Sequence, residues 1–188
     1  MKKTLFSLAL VAMFSVGATT TVSAQSKTKT VMVGGAPMYP TKNIVENAVN
    51  SKDHTTLVAA VKAAGLVETL QSAGPFTVFA PTNAAFGKLP AGTVETLVKP
   101  ESKETLTKIL TYHVIAGRMT AADLMKAIKA GKGSATLKTV SGGTLTAMMK
   151  GKKIELKDEK GGMSMVTIAN VMQSNGVIHV VDTVLLPN

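Results

Sequence analysis

The sequence predicts an α+β fold, because helical and extended patterns occupy different parts of the chain. Before residue 131, apolar residues recur at the three- and four-residue spacing of amphipathic helices. From Ser134 onward, short runs of alternating apolar and polar residues are separated by glycines, which is typical of an antiparallel meander. The predicted strands of this meander cover residues 135–140, 144–149, 153–157 and 163–168.

Four longer helices are predicted from the apolar spacing and from residues that favour helix ends, together with one helical turn over residues 66–70. The first covers residues 43–49. Asp53 is expected to cap the second helix, which Gly65 ends because glycine readily adopts the left-handed conformation found there. Ser102 and Thr120 are the expected N-caps of the other two.

Two further strands are predicted before the meander. Residues 76–80 form an apolar run rich in β-branched and aromatic residues, which indicates a buried strand. The Pro81-Thr82-Asn83 segment that follows predicts a turn into a short helix, with Thr82 or Asn83 as its N-cap. Residues 112–115 have a second strand-like pattern.

The N-terminus has the pattern of a bacterial export signal. Lysines at positions 2 and 3 precede an uncharged apolar stretch over residues 5–16, and small residues then lead to Ala24. The stretch is shorter than the ~20 residues of a membrane-spanning helix. We therefore interpret residues 1–24 as a signal peptide, with Gln25 as the new N-terminus and a periplasmic or extracellular location.

The remaining chain suits one domain. Residues 25–40 are small and polar and contain glycine and proline, so they are expected to form a flexible or extended lead-in to a domain covering residues 41–188. A chain of this size can bury a core without covalent links. It must do so, because it contains no cysteine, which also excludes disulfides, thiolate metal sites and thiol nucleophiles.

The charge composition favours anionic partners over nucleic acid. Lys and Arg total 21 against 11 Asp and Glu, a net charge of +10 that becomes +8 without Lys2 and Lys3. Arg118 is the single arginine and tryptophan is absent, whereas nucleic-acid readers favour arginine and aromatic residues. We expect attraction to an acidic glycan, a lipid headgroup or an acidic protein. A simply solvated basic surface is the alternative.

Catalytic and metal-binding patterns are weak. The three histidines, His54, His113 and His179, are dispersed, and no Gly-x-Ser-x-Gly element is present. We expect His54 to be exposed, and the other two to be buried imidazoles with polar partners. The pair Asp158-Glu159 is expected in a solvated turn. The sequence therefore predicts no enzyme activity and no cofactor. The eleven methionines are interpreted as core residues, with a soft apolar surface on the meander as the alternative.

Two segments and a dipeptide resemble the fasciclin domain. Residues 77–86 match the pattern T-x-F-A-P-T-(N/D)-x-A-F, and residues 175–187 match N-G-x-(I/V)-H-x-(I/V)-D-x-V-L-x-P. Tyr112-His113 lies between them, as in the family. The resemblance implies a wedge-shaped, twisted, antiparallel-rich β-sandwich with a helical cap. It also implies that the two segments lie side by side in the core.

The resemblance assigns structural roles to four residues, which are Thr82, Asn83, His179 and Asp182. It also implies a polar network that joins Asn83 to His113. The domain is similar to non-enzymatic modules for cell adhesion and matrix contact. The expected partner-binding residues are Tyr112, His113, Asn170, Val171 and Met172.

Two qualifications concern the partner. Asn170-Val171 replaces the Asp-Ile that animal members of the family use for integrin contact, so integrin binding is not carried over. Some relatives carry apolar molecules, so the alternative function is a carrier of a small apolar ligand such as a carotenoid or a lipid.

Overall fold

A seven-stranded mixed sheet is the centre of the protein, which a computed structural model describes over residues 30–188. The predicted signal peptide lies outside these residues. Nine strands and seven α-helices are assigned within residues 30–188. The strands are β1 (Val31–Val33), β2 (Ala36–Met38), β3 (Phe76–Pro81), β4 (Val114–Ala116), β5 (Ser134–Lys138), β6 (Thr144–Lys150), β7 (Lys153–Lys157), β8 (Met163–Gln173) and β9 (Gly176–Val181).

The helices occupy the first two thirds of the chain, which confirms the predicted α+β arrangement. They are α1 (Ile44–Ala48), α2 (Thr55–Ala64), α3 (Val67–Gln71), α4 (Asn83–Phe86), α5 (Thr93–Leu97), α6 (Lys103–Tyr112) and α7 (Ala121–Ala130). Short 3₁₀ turns at Lys52–His54 and Pro100–Ser102 precede α2 and α6. The predicted left-handed end of α2 at Gly65 is confirmed by its φ of 73°. Thr120 and Asp123 form a capping box at the start of α7.

The strand order of the large sheet is β4-β3-β9-β8-β7-β6-β5. β3 and β9 are parallel, and the other neighbours are antiparallel. β9, the last strand in the chain, therefore lies beside β3, which is the first strand of this sheet in chain order. Successive residues of β3 and β9 enter two different hydrophobic clusters, so both faces of this strand pair are buried. This explains why both segments read as continuous apolar runs.

The two clusters divide the helices. The first cluster packs α1, α2 and α6 against one face of β3 and β9, and includes Val78 and Ile178. The second packs α7 against the meander, and includes Phe79, Leu124 and Leu156. The parallel strand pair therefore lies between two apolar layers.

Part of the expected lead-in is structured. Residues 31–38 form the β1–β2 hairpin, whose turn uses Gly34 and Gly35 at φ 56° and 78°. Val33 and Met38 are buried in the first cluster. The sequence suggested a flexible or extended segment because residues 25–40 are small and polar and contain glycine and proline. Strands of three residues, one of them containing Pro37, are too short to show a recognisable alternation.

Two strand boundaries also differ from the sequence-based expectation. Tyr112 ends α6, and β4 begins only at Val114. β8 continues to Gln173, past an irregular register between Val166 and Val171. Asn170 has a φ of 59° within this irregular part. Among the helices of residues 30–188, none has the length and apolar character needed to cross a membrane.

Candidate functional site

The two family-like segments meet in the centre of the sheet. β3 and β9 pair in parallel, with Phe79 opposite His179. The rings of these two residues stack with their centroids 5.7 Å apart. The side-by-side arrangement implied by the resemblance is therefore present.

His179 is a buried neutral imidazole that hydrogen-bonds to the segment before α7 and to the irregular part of β8. Its Nε2 lies 2.9 Å from the Met119 carbonyl oxygen, to which it donates. Nδ1 then accepts a hydrogen bond from the Asn170 backbone N–H at 3.4 Å. Burial lowers the pKa of His179, so the ring stays neutral at pH 7. The contact with Asn170 holds the residue of β8 that has the positive φ.

His113 has a similar structural role at the end of α6. Its Nδ1 donates to the Ile109 carbonyl at 2.9 Å, and its Nε2 accepts from the Leu185 N–H at 3.0 Å. Burial lowers the pKa of His113 to about 4. Both ring nitrogens are engaged, so this histidine is not available to a metal ion. Within residues 30–188, no group of three or more His, Asp or Glu side chains is arranged to hold a metal.

The implied network between Asn83 and His113 needs correction. The Asn83 Oδ1 accepts from the Thr56 N–H at 3.0 Å, and its Nδ2 donates to the Lys52 carbonyl and the Thr55 hydroxyl at 2.9 Å. Asn83 therefore ties the turn after β3 to the start of α2. Thr82 is the N-cap of α4, since its side chain accepts from the Ala85 N–H.

The Asn83→Ala substitution is expected to lower the free energy of unfolding by about 1–3 kcal/mol, because three backbone or hydroxyl groups lose their partner. Chemical denaturation measures this change. Asn50→Ala is the control, because the exposed Asn50 amide makes one local bond, to the Glu46 carbonyl, and is expected to cost less than about 0.5 kcal/mol. An equal loss in both variants would contradict the structural role of Asn83.

Three of the five expected partner-binding residues are buried, which corrects that interpretation. Tyr112 is fully buried, and His113 and Val171 are 3% and 1% exposed. The Tyr112 hydroxyl donates to the Thr144 carbonyl at 2.6 Å and accepts from the Glu159 N–H at 3.1 Å. Burial raises the pKa of Tyr112 to about 12. Only Asn170, which is exposed, and Met172, which is half-buried, present surface to a partner.

The Asn170 side chain also makes a hydrogen bond within the domain. Its Oδ1 accepts from the Ala121 N–H at 2.7 Å, at the first residue of α7. Asparagine tolerates the left-handed conformation better than most residues, which explains its presence at this position. Asp182, the last of the implied structural residues, accepts from the Met165 N–H at 2.8 Å and lies 3.6 Å from the Lys88 ammonium.

The sequence interpretation missed the structural role of two acidic residues. Asp158 is buried, and its carboxylate accepts from the Gly162 and Leu186 N–H groups at 2.6 and 2.9 Å. Glu159 accepts from the Thr144 and Asn188 N–H groups at 2.8 and 3.2 Å. Both carboxylates hold the C-terminal segment. Asp158 is therefore not solvated as expected, whereas Glu159 is exposed in the turn between β7 and β8.

Asn175 is a third residue whose role appears only in the structure. Its Oδ1 accepts from the Ile44 N–H at 3.0 Å, and its Nδ2 donates to the Leu70 and Ser72 carbonyls at 2.8 and 2.9 Å. It therefore joins α1, α3 and the turn before β9. Its partners lie more than a hundred residues away in the chain, so local sequence patterns gave no signal for them.

Comparison with known proteins agrees with the resemblance seen in the sequence. The family model described as Fasciclin domain matches residues 52–187. Protein sll1483 of Synechocystis is 46% identical over 176 residues, which are 93% of this chain and 91% of that protein. Immunogenic protein MPB70 of Mycobacterium bovis is 37% identical, over 74% of this chain and 66% of its own length. Cell surface glycolipoprotein MPB83 of the same species is 35% identical, over 88% and 68%.

A solved structure shares the fold. It is a FAS1 domain pair from the insect cell adhesion molecule Fasciclin I, with a TM-score of 0.69 and 20% sequence identity. The match covers 79% of this chain and 52% of that one. The family model covers well over half of the chain, and the described fold agrees with the solved one. The chain therefore belongs to the fasciclin domain family.

Proposed function

We propose that the protein is an exported, non-catalytic interaction module that attaches to an anionic macromolecular surface. The N-terminal signal pattern supports export. Two relatives support a surface role by their names: one is a cell surface glycolipoprotein, and the other belongs to a cell adhesion molecule. Acidic glycans, lipid headgroups and acidic proteins all present the negative charge that the basic composition would attract.

The basic β6–β7 hairpin carries this proposal. Lys150, Lys152 and Lys153 are all exposed at its tip, beside Met149, whose side chain is 38% exposed. The Lys150 ammonium lies 2.9 Å from the Glu155 carboxylate. Lys152 and Lys153 have no ion pair with any residue of the described chain. The tip therefore combines free positive charge with an exposed apolar side chain, which suits an anionic surface.

The double variant Lys152→Gln/Lys153→Gln is expected to bind anionic vesicles about 30-fold more weakly, since each lysine near such a surface contributes about 1 kcal/mol. Vesicle co-sedimentation in a salt series measures this. Binding of the unchanged protein should also fall as salt rises, because exposed charges are screened over about 8 Å at physiological ionic strength.

Lys126→Gln/Lys129→Gln on α7 is the matched control, because it removes the same charge from another exposed surface. We expect it to weaken binding less than about threefold, since Asp123 lies near Lys126 and already offsets part of its charge. Repeating the series with an acidic polysaccharide separates lipid from glycan recognition. Equal losses in both double variants, or binding unaffected by salt, would contradict the hairpin proposal.

A second candidate function is the transport or storage of a small apolar molecule. It is supported by an apolar cavity of about 90 Å³ between the helices and the sheet. Benzene occupies an engineered cavity of about 150 Å³. A carotenoid or a membrane lipid is many times larger than benzene, so this cavity would accept only a small ligand.

A further inference from the structure

The outer face of the meander is the face that β5 to β8 turn away from the second hydrophobic cluster. Alternate residues of a strand point to opposite faces of a sheet. Leu145 and Leu156 are buried in the second cluster, so the residues next to them in the chain point outward. The strand register places Met148, Glu155 and Met165 directly opposite one another in a row across β6, β7 and β8. These three side chains therefore share the outer face.

Three methionines lie on this outer face. Met148 and Met165 are half-buried, and Met163, two residues before Met165 on the same strand, is 38% exposed. Met149 adds a further exposed thioether at the hairpin tip. Thioether side chains are apolar and flexible, so they adapt to an irregular partner. The outer face thus presents apolar surface, whereas a sheet face that meets only water carries polar residues.

Lysines supply the charge of the outer face. Lys150, Lys153 and Lys157 point outward and are all exposed. Glu155 is the only acidic residue in β5 to β8, and its side chain is 8% exposed, with the carboxylate 2.9 Å from the Lys150 ammonium. Lys153 and Lys157 form no ion pair with any other residue among 30–188. Every unpaired charge that these four strands place on the outer face is therefore positive.

Two acidic residues border the outer face beyond the ends of its strands. Glu159 follows β7, and its carboxylate accepts from the Thr144 and Asn188 N–H groups at 2.8 and 3.2 Å. Asp182 follows β9 and lies 3.6 Å from the Lys88 ammonium. The negative charge at the border is therefore held by backbone N–H groups or by a lysine.

The combination of positive charge and apolar surface favours one class of anionic partner. An acidic polysaccharide offers charge, but its hydroxyl groups give methionine side chains no apolar layer to enter. An anionic phospholipid bilayer offers both, because its charged headgroups lie directly above hydrocarbon. Lysine suits such a surface, since its ammonium is a point charge that needs no fixed geometry from the anion. A lipid surface therefore engages the lysines and the methionines together.

We propose that the outer face of the meander, together with the hairpin tip, docks on an anionic phospholipid bilayer. The lysines lie at the level of the headgroups, and Met149 and Met163 reach the boundary of the acyl chains. The inference rests on the proposed attachment to an anionic surface. It adds lipid as the partner and the outer face as the contact. In this orientation α7, which packs on the other face of the meander, lies away from the bilayer.

The absence of tryptophan from the sequence makes a site-specific fluorescence test possible. Met163→Trp introduces a single fluorophore at an exposed position of the outer face. We expect its emission to shift to shorter wavelength when vesicles of phosphatidylglycerol and phosphatidylcholine are added. The emission should also lose intensity when the acyl chains of these vesicles carry bromine. Vesicles of phosphatidylcholine alone should cause neither change, because they have no net negative charge.

Met125→Trp is the matched control for the fluorescence test. It places the same fluorophore at a methionine of similar exposure, 42% against 38%, on the solvent side of α7. Lys126 and Lys129 also give this position basic neighbours. We expect no shift and no loss of intensity with brominated chains, because α7 lies on the other side of the second cluster. Circular dichroism of both variants checks that the fold is retained.

Lys157→Gln tests the contact without changing a methionine. Lys157 lies opposite Met163, at the end of β7 that is remote from the hairpin tip. We expect about fivefold weaker co-sedimentation with the anionic vesicles, which is the contribution of one lysine near such a surface. Lys129→Gln on α7 removes the same charge elsewhere and should weaken binding less than about twofold, since screening limits its effect at a distance.

Four outcomes distinguish this inference from the function on which it rests. Binding to none of anionic vesicles, hyaluronate and polyglutamate would overturn both. Binding to hyaluronate or polyglutamate but not to anionic vesicles would overturn the lipid assignment and leave attachment to an anionic surface standing. Vesicle binding that leaves the Met163→Trp emission unchanged, or that Lys157→Gln does not weaken, would overturn the role of the outer face. Equal responses of Met163→Trp and Met125→Trp would overturn the proposed orientation.

Discussion

The Phe79→Ala substitution is expected to lower the free energy of unfolding by about 3–5 kcal/mol, the range for removing a large aromatic side chain from a core. Phe79 is fully buried in the second hydrophobic cluster, and its ring stacks on His179. Its loss therefore leaves a cavity beside the parallel strand pair and removes a ring contact from the histidine that holds Asn170. Urea denaturation followed by circular dichroism measures the change.

Phe76→Ala is the matched control for this prediction. It makes the same chemical change in the same strand, but Phe76 is half-buried at the strand's first residue. We expect a loss smaller by about half, since less apolar surface leaves the interior. A loss for Phe79→Ala no larger than that for Phe76→Ala would show that the centre of the strand pair is not the most tightly packed part.

Acidification is expected to destabilise the fold between about pH 6.5 and pH 4. Burial lowers the pKa of His113 to about 4, from 6.5 in the unfolded chain. Below pH 6.5 the unfolded state therefore binds a proton that the folded state does not, and stability falls with pH until the folded-state pKa is reached. At about 1.4 kcal/mol per unit of pKa, His113 alone accounts for about 3 kcal/mol. Burial lowers the pKa values of His54 and His179 as well, so they act in the same direction.

Denaturation at pH 7, 5.5 and 4.5 tests this expectation. The glutamine amide of His113→Gln can donate and accept hydrogen bonds, but it does not titrate in this pH range. The stability of this variant should therefore depend less on pH than that of the unchanged protein. Parallel pH profiles for the two proteins would contradict the assignment of the acid response to His113.

Local patterns were sufficient to predict much of the secondary structure. The C-terminal end of α2 follows from Gly65 and the N-terminal end of α7 from Thr120, whose conformation and side chain act within one turn of the helix. The expected cap at Asp53 is wrong, because Asp53 lies inside the 3₁₀ turn before α2, and α2 begins without a side-chain cap. β7 has the predicted bounds, because alternation and flanking glycines are both local signals. The apolar runs of β3 and β9 were also recognisable, since strands buried on both faces need no alternation.

The environment of the expected partner-binding residues could not be predicted from local patterns. Tyr112 was expected to contact a partner, and the resemblance placed His113 in the same set although a buried imidazole was expected from its apolar surroundings. Their hydrogen-bond partners Thr144, Glu159 and Leu185 lie 32 to 72 residues further along the chain. Asn83 has the expected structural position, yet it bonds to the start of α2 and not to His113. Tertiary packing determines which polar groups form hydrogen bonds with each other, and the local sequence pattern does not indicate these pairs.

The sequence by itself determined the family, the α+β class, the basic charge and the absence of cysteine. These properties reside in the identity of residues and in spacings of a few positions. Only the tertiary structure decided that Tyr112 and Val171 are buried, that residues 31–38 form a hairpin, and that His54 is buried at the wall of an apolar cavity. Each of these depends on which distant segments pack together, and burial is a property of that packing and not of any single residue.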